Sequence, residues 1–489
     1  MTQAIDYHAI LPELIVSGTI VLALLLDSFT SERRKASVMV LSLLGAIAAL
    51  VATFTLIPGP GRSTFGGMFV VDDFAVLFKV FFLAVTIIVL AISLRYFRDG
   101  RFYQGEYYFL LMTSFLGCLL MPSSRDLVML FLALELVSAP GFLIAAFRKG
   151  DPRSSEAGLK FFLIGVLSTA VMLYGMSFIY GLTGETNLYA IGARVAQLRG
   201  PEETLALASI LFVVVGFAFK VSAVPFQFWA PDTYEGAPVP VAAFLASASK
   251  AAGFAGLLQL MFVAFPSEFE FWTPIFATLS VLTMTIGNFV ALRQTQVVRL
   301  LAYSSIAQAG YMLLPFALAS DNPATNELAF SAAVTYILIY AIMTLGAFAV
   351  VIALSRESRG LLISDFAALG RRAPVLAVAM TVFMVSLAGI PPTGGFWAKL
   401  VVFSAAIEAG GIGPYLAVIM LVNSVVSIYY YLAIPRAMFL LPSEERRLAA
   451  PALVTGVAVS ASLAVVAIGF YPDLVARFPP LSTLIGAGG

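Results

Sequence analysis

The sequence predicts an all-α polytopic membrane protein of about 14 transmembrane helices. Three observations carry that expectation. Of the 489 residues, 61% are hydrophobic and only 11% charged, with a mean hydropathy of +0.98, more apolar surface than a soluble domain can bury. Apolar stretches of about 20 residues, the length that spans a hydrocarbon core of about 30 Å, recur along the whole chain. Lysine and arginine crowd into alternate loops, as they do in multi-pass proteins.

Composition also excludes several classes of chemistry. The net charge of +1 points to no nucleic-acid partner. A single cysteine, Cys118, rules out a disulfide framework, a zinc finger and a cysteine-ligated iron–sulfur cluster. The only histidine is His8, which leaves no buried histidine pair for haem. There is no P-loop, no dinucleotide-binding glycine motif after a strand and no G-x-S-x-G. Any redox chemistry therefore belongs to other chains. The start carries Asp6 and Glu13 but no basic residue before its apolar core, so it reads as a retained first helix rather than a secretory signal.

In chain order, the expected spans are 9–26, 36–57, 74–94, 107–121, 127–147, 157–181, 204–224, 239–264, 272–292, 299–318, 328–354, 375–408, 414–435 and 452–471. The seventh ends at Pro225 and is followed by Phe226 to Gly236, too polar to span. The twelfth is too long for one helix and is interrupted by Gly389-Ile390-Pro391-Pro392-Thr393-Gly394-Gly395. Helices 7 and 12 are thus expected to be broken, as in transporters whose binding sites lie at interrupted helices.

Sidedness follows from the loops. Arg33, Arg34, Lys35, Arg95, Arg98, Arg101, Arg148, Lys149, Arg153, Arg293, Arg299, Arg356, Arg359, Arg371, Arg372, Arg436, Arg446 and Arg447 fall on one side, and Arg62, Arg125, Arg194, Arg199 and Arg477 on the other. The rich side is cytoplasmic by the positive-inside rule, which puts both termini outside.

Five of the 28 basic residues are left over: Lys79, Lys160, Lys220, Lys250 and Lys399. All lie within spans and all are lysine, although the chain has many more arginines. Insertion cost does not separate the two residue types. Proton exchange does, because arginine stays charged whereas a desolvated lysine can give up its proton. Lysines inside spans are therefore candidate proton-transfer residues.

Two readings compete for Lys79 and Lys160, which lie within a turn or two of helix ends: snorkelling to the interface, or function. Lys220 sits beside the first break, Lys250 near mid-span and Lys399 just past the second break, where snorkelling accounts for little. Glu135 is the one carboxylate deep in a span, and the short connection between spans five and six makes Lys160 its expected partner. Asp27 and Glu408 fall at span ends and are expected to be solvated. Ser247, Ser249, Tyr303, Ser304, Ser305, Gln308, Thr335, Tyr336, Tyr340 and Thr344 could hold water between titratable sites, or simply pack helices.

Several strings then carry a resemblance: Gly216-Phe217-Ala218-Phe219-Lys220, Val224-Pro225-Phe226-Gln227-Phe228-Trp229, Pro231-Asp232, Tyr234-Glu235-Gly236-Ala237-Pro238, Ser249-Lys250-Ala251-Ala252-Gly253, Arg299-Leu300-Leu301-Ala302-Tyr303-Ser304-Ser305 and Gly389-Ile390-Pro391-Pro392-Thr393-Gly394-Gly395-Phe396. Over nearly its whole length the chain resembles the antiporter-like membrane subunits of proton-pumping NADH:quinone oxidoreductase, respiratory complex I. That family also includes subunits of multi-subunit Na⁺/H⁺ antiporters and membrane-bound hydrogenases, which are the alternative.

The resemblance implies N-terminal helices over 1–105, two inverted five-helix repeats over 106–265 and 266–440, and a last helix in 441–489. Glu135 and Lys160 match the family's helix-five glutamate and modulating lysine. Lys220 matches the pumping lysine, Lys250 the connecting lysine and Lys399 the terminal residue. It implies no cofactor on this chain, with FMN, iron–sulfur clusters and quinone on partner subunits. The implied partners are other complex I membrane subunits, among them a neighbouring antiporter-like subunit and small membrane subunits, in a bacterial-type cytoplasmic membrane. Of the three antiporter-like subunits, the short chain after span thirteen and Lys399, where one relative typically has Glu, select one. Gln227 and Gln308 stand where the family often has histidine, and glutamine does not titrate near neutrality.

Overall fold

A computed structural model describes residues 5–31, 35–57, 61–99, 105–355, 358, 360–443, 448, 450–476 and 484. Arg33, Arg34, Arg101, Arg356, Arg359, Arg446, Arg447 and Arg477 of the sidedness tally lie outside these residues.

The chain enters as three apolar helices, α1 (Leu11–Phe29), α2 (Ala36–Phe54) and α3 (Asp73–Asp99), with a small hairpin of β1 (Arg62–Thr64) and β2 (Phe69–Val71) before α3. Then come α4 (Glu106–Leu120), α5 (Leu127–Ala145), α6 (Pro152–Thr183), the short α7 (Leu188–Val195) and α8 (Pro201–Val221). A second short helix, α9 (Trp229–Gly236), leads into α10 (Val239–Phe244) and α11 (Lys250–Gln259). These last two form one continuous helix that widens to π turns over Leu245–Ser249 and Leu260–Ala264. The second half holds α12 (Phe269–Ala291), α13 (Val297–Leu313), α14 (Pro323–Leu354), the single turn α15 (Leu369–Arg372), the half-helices α16 (Pro374–Ala388) and α17 (Gly394–Ala409), α18 (Gly413–Leu440) and α19 (Ala452–Phe470).

Among the described residues, 12 helices are long and apolar enough to cross a membrane. The two expected spans missing from that set are the fourth and the twelfth. Helix α4 has 15 residues, about 22 Å of rise, and is prolonged by a tight 3-10 turn over Met121–Ser123. The twelfth is two half-helices, as its Gly-Pro run predicts.

Helix starts and stops have local causes. Asp151 and Asn322 each cap a helix whose first residue is proline, accepting from Arg153 N and Ala324 N at 3.0 Å. The helices they start, α6 and α14, are both 32 residues long. Asp126 caps α5 and pairs its backbone with Asn187, while Gln296 caps α13 and pairs with Leu362. Both breaks end alike. Helix α8 stops at Ser222 and α16 at Gly389, each in the left-handed region at φ 62° and 86°. The following amide turns back to the carbonyl five residues earlier, Ala223 to Ala218 at 2.8 Å and Ile390 to Val385 at 3.1 Å. A proline three residues beyond each left-handed residue, Pro225 and Pro392, prevents the helix from resuming at once.

Burial orders the layers. The segment Val239–Ala264 is buried along its whole length, and α13 and α14 nearly so. Helices α1, α6 and α19 turn most of their surface outward, with Leu163, Leu167 and Leu463 exposed as lipid-facing residues are. The molecule therefore has a fully enclosed axis running from α5 and α8 through α11 and α13 to α16 and α17.

Candidate functional site

Three of the five intramembrane lysines lie on that axis, with no carboxylate bound to them among the described residues. Lys220, in the last turn of α8, is buried and donates to Ser138 Oγ of α5 at 3.0 Å. Glu135 lies one turn before Ser138 on α5. Its Oε1 accepts from Thr169 Oγ1 at 2.9 Å.

Lys250 begins α11 directly after a π turn, a distortion frequent at functional sites. It donates to both oxygens of Ser305 on α13, the carbonyl at 2.8 Å and Oγ at 2.6 Å. The Tyr234 and Tyr340 hydroxyls are buried without a hydrogen-bond partner among the described residues. Gly253, one turn after Lys250, lies flat on the Lys220 side chain. A Cβ added there would stand 3.0 Å from Lys220 Cγ, so the bare backbone is what lets the two lysine sites adjoin.

Lys399 on α17 reaches back across the second break to the carbonyl of Ala388 at 2.9 Å and sits 4.9 Å above the Tyr311 ring. Between Lys250 and Lys399 stands Gln308, one turn beyond Ser304 on α13. Its Nε2 donates to Leu387 O and to the Tyr431 hydroxyl, both at 3.0 Å, and its Oε1 accepts from Tyr336. The Tyr431 hydroxyl lies 2.6 Å from Ser304 Oγ. Polar groups therefore run from Ser304, next to the serine that binds Lys250, to the Leu387 carbonyl, next to the Ala388 carbonyl that binds Lys399.

The other two lysines are ion-paired. Lys79 does not snorkel: it is wholly buried, 2.8 Å from Glu13 of α1, with its Nζ 4.6 Å from the Phe69 ring centre. Lys160 is half-exposed and pairs with Glu156 on its own helix and with Asp232 on α9, each at 2.7 Å.

The expected Glu135–Lys160 contact is therefore absent, and the register of the α5–α6 hairpin gives the reason. Gly158 is pressed against Ala146, and Gly165 against Phe142. That registry puts Thr169, not Lys160, level with Glu135, and Lys160 lies nine residues away, about 13 Å along the helix. Asp27, expected to be solvated, pairs with Lys35 at 3.2 Å and is only 10% exposed.

Gln227 is buried in the linker between α8 and α9, its Oε1 without a hydrogen-bond partner among the described residues. Ser247 returns its hydroxyl to Ala243 of its own helix.

Sequence reasoning missed four groups. Ser138 and Tyr431 are hydroxyls inside apolar helices and carry no signal that separates them from packing residues. Asp232 and Arg299 read as loop charges but form one cluster: Arg299 donates to Asp232 at 2.8 Å and to Glu235 at 2.9 Å. Burial raises the Asp232 carboxyl, and its bonds from Lys160 and Arg299 outweigh that, holding it below its ordinary value.

Comparison with known proteins matches residues 124–427 to the family described as NADH:quinone oxidoreductase/Mrp antiporter, TM. The chain belongs to this family. NADH-quinone oxidoreductase subunit N of Trichlorobacter lovleyi is 42% identical over 447 residues, covering 91% of this chain and 89% of that protein. NADH-quinone oxidoreductase subunit N 2 of Streptomyces griseus is 39% identical over 511 residues, covering 99% and 94%. Among solved structures, a chain of respiratory complex I from Thermus thermophilus with bound aureothin superposes with a TM-score of 0.80 at 34% identity, over 95% of this chain and 98% of that one. A chain of the Mrp complex from Dietzia sp. DQ12-45-1b shares the fold, with a TM-score of 0.83 at 21% identity over 99% and 97%. Glu135, Lys160, Lys220, Lys250 and Lys399 all fall inside the part matched to the NADH:quinone oxidoreductase/Mrp antiporter family, and Lys79 falls outside it.

Proposed function

We propose that this chain is the subunit N type of membrane subunit of NADH:quinone oxidoreductase and carries protons along the axis Lys220, Lys250, Lys399. One observation carries the assignment. Three buried lysines are held only by hydroxyls, carbonyls and a ring face, whereas Lys79 and Lys160 are held by carboxylates. Breaking a buried ion pair costs about 3–5 kcal/mol, so Glu13 fixes the charge of Lys79. A neutral acceptor does not, and it serves ammonium and amine alike.

A proton entering from the cytoplasmic side loads Lys220 under the influence of Glu135. It passes to Lys250, which Ser305 holds in place, then through water and hydroxyls around Gln308 and Tyr431 to Lys399. Quinone reduction elsewhere in the complex drives the cycle by shifting charge toward Glu135. Glutamine at 227 and 308 leaves the titrating steps to the lysines.

The paired architecture fits this reading. The 32-residue α6 and α14 with their Asx-Pro starts, the capped and bridged starts of α5 and α13, and the like breaks after α8 and α16 favour two repeats over 106–265 and 266–440. Counting α4 and the broken α16–α17 as crossings gives fourteen spans, and the arginine-rich loops then face the cytoplasm of a bacterial-type membrane with both termini outside. FMN, iron–sulfur clusters and quinone sit on partner subunits, and a neighbouring antiporter-like subunit adjoins this one.

Replacing Lys220 with Ala in the assembled complex tests the assignment. Fewer protons pumped per NADH, at normal complex content, is the expected result. An unchanged ratio removes Lys220 from the pathway.

A further inference from the structure

Helix α9 lies outside the lysine axis yet contacts the end of α8 beside Lys220 and the start of the helix that carries Ser305. Asp232 uses its two carboxylate oxygens on two different helices. Oδ2 accepts from Lys160 of α6 and Oδ1 from Arg299 of α13. Arg299 begins the helix that carries Ser305, the acceptor of Lys250. On the side toward α8, the Trp229 indole N–H donates to the carbonyl of Phe219 at 3.1 Å, the residue before Lys220. Trp229 is in turn stacked on Phe161, the neighbour of Lys160, at 4.2 Å and 13°. Helix α9 is pressed so closely on α6 that a Cβ at Gly236 would stand 2.5 Å from the Arg153 carbonyl. One short helix is therefore pinned to α6 by a ring stack and an ion pair, to the end of α8 by an indole, and to α13 by Arg299.

We propose that Asp232 is a positioning residue for proton transfer between Lys220 and Lys250, holding α13 against the α8–α9 break so that the Ser305 and Ser138 acceptors keep their separation. Lys160 acts through this contact rather than through Glu135. The inference rests on the proton-pathway reading above. Each ion pair is partly solvated and worth little alone. The effect comes from joining three helices at one carboxylate, and the loss of it is a change of geometry at Lys220 and Lys250.

The chemistry of substitution separates this role from bulk stability. Asn at 232 keeps the size but turns an N–H₂ group toward a cationic donor, whereas Glu keeps two acceptor oxygens. In the assembled complex, D232N is expected to slow NADH-driven proton pumping roughly threefold to tenfold at normal complex content, and D232E to restore it. R299Q, which leaves the Lys160–Asp232 pair in place, is expected to slow pumping in the same direction.

K220A is measured alongside. If K220A pumps normally, the pathway reading itself fails. If K220A is defective while D232N pumps normally, only the positioning role fails. A D232N protein that does not assemble, together with an R299Q protein that pumps normally, makes the cluster a folding element and overturns the proposal.

Discussion

Gln308 and Lys399 donate to neighbouring carbonyls of one half-helix, Leu387 at 3.0 Å and Ala388 at 2.9 Å. A helix end leaves its last carbonyls without intrahelical partners, and the break at Gly389 puts those acceptors in the protein interior. The first break is used in the same way, where Trp229 takes the Phe219 carbonyl. Interrupting a helix thus supplies fixed acceptors where apolar side chains would give none.

Gln308→Leu should both destabilise the subunit and slow pumping. It strands the Leu387 carbonyl and the Tyr336 hydroxyl and leaves the Tyr431 hydroxyl with Ser304 alone, and each stranded buried group costs about 1–3 kcal/mol. Gln308→His, which keeps a donor and an acceptor, should be milder. Thermal melting of the purified complex and protons pumped per NADH read the two effects, and normal values for both in the leucine variant would remove Gln308 from the axis.

Lys250→Arg should assemble and fail to pump, because arginine keeps its proton. Ser305→Ala should be much milder, since the Ser305 main-chain carbonyl at 2.8 Å remains for Lys250. Pumping by the arginine variant at the normal ratio would make Lys250 a fixed structural charge.

Gly253→Val should impair pumping more than it impairs assembly. Even a methyl there comes within 3.0 Å of Lys220 Cγ and 3.1 Å of Val221 Cγ1, and overpacking of this kind costs about 1–3 kcal/mol. Gly253→Ala should lie between valine and the native glycine. The idea is lost if the valine variant pumps as well as alanine at equal complex content.

Arg125→Met should do the opposite. Arg125 is fully buried, bonded to Asp72 just before α3, to the Pro122 carbonyl in the turn after α4, and to Gln259 at the end of α11 far from Lys250. Removing one partner of a buried pair costs about 3–5 kcal/mol, so complex content and melting temperature should fall while each remaining complex pumps the usual number of protons. A lowered ratio per complex would instead draw the cluster into the pathway.

The span pattern was legible because hydrocarbon thickness leaves its length on the sequence, and the burial of Lys250 and Lys399 was legible because each is a lone cation within an apolar stretch. Side-chain partners were less so. Glu135 and Lys160 sit on consecutive helices, but the small residues Gly158 and Ala146 set a registry that separates them. Arg125 supported the sidedness argument as a loop charge, yet it is among the most buried side chains of the protein. Tyr429 and Tyr431 are two residues apart in one apolar helix, the first 72% exposed and the second buried on Gln308. No local pattern distinguishes them, because neighbour identity is fixed by helices far away in sequence. The two breaks were expected from their prolines, but their shared left-handed ending was not, because serine does at 222 what glycine does at 389.

Lys250 and Lys399 rest on peptide oxygens, those of Ser305 and Ala388. A substitution can delete either lysine but cannot delete its acceptor, because every amino acid brings the same carbonyl. A change of side chain at 305 or 388 therefore leaves Lys250 one of its two acceptors and Lys399 its one hydrogen-bond acceptor, both belonging to the backbone path itself.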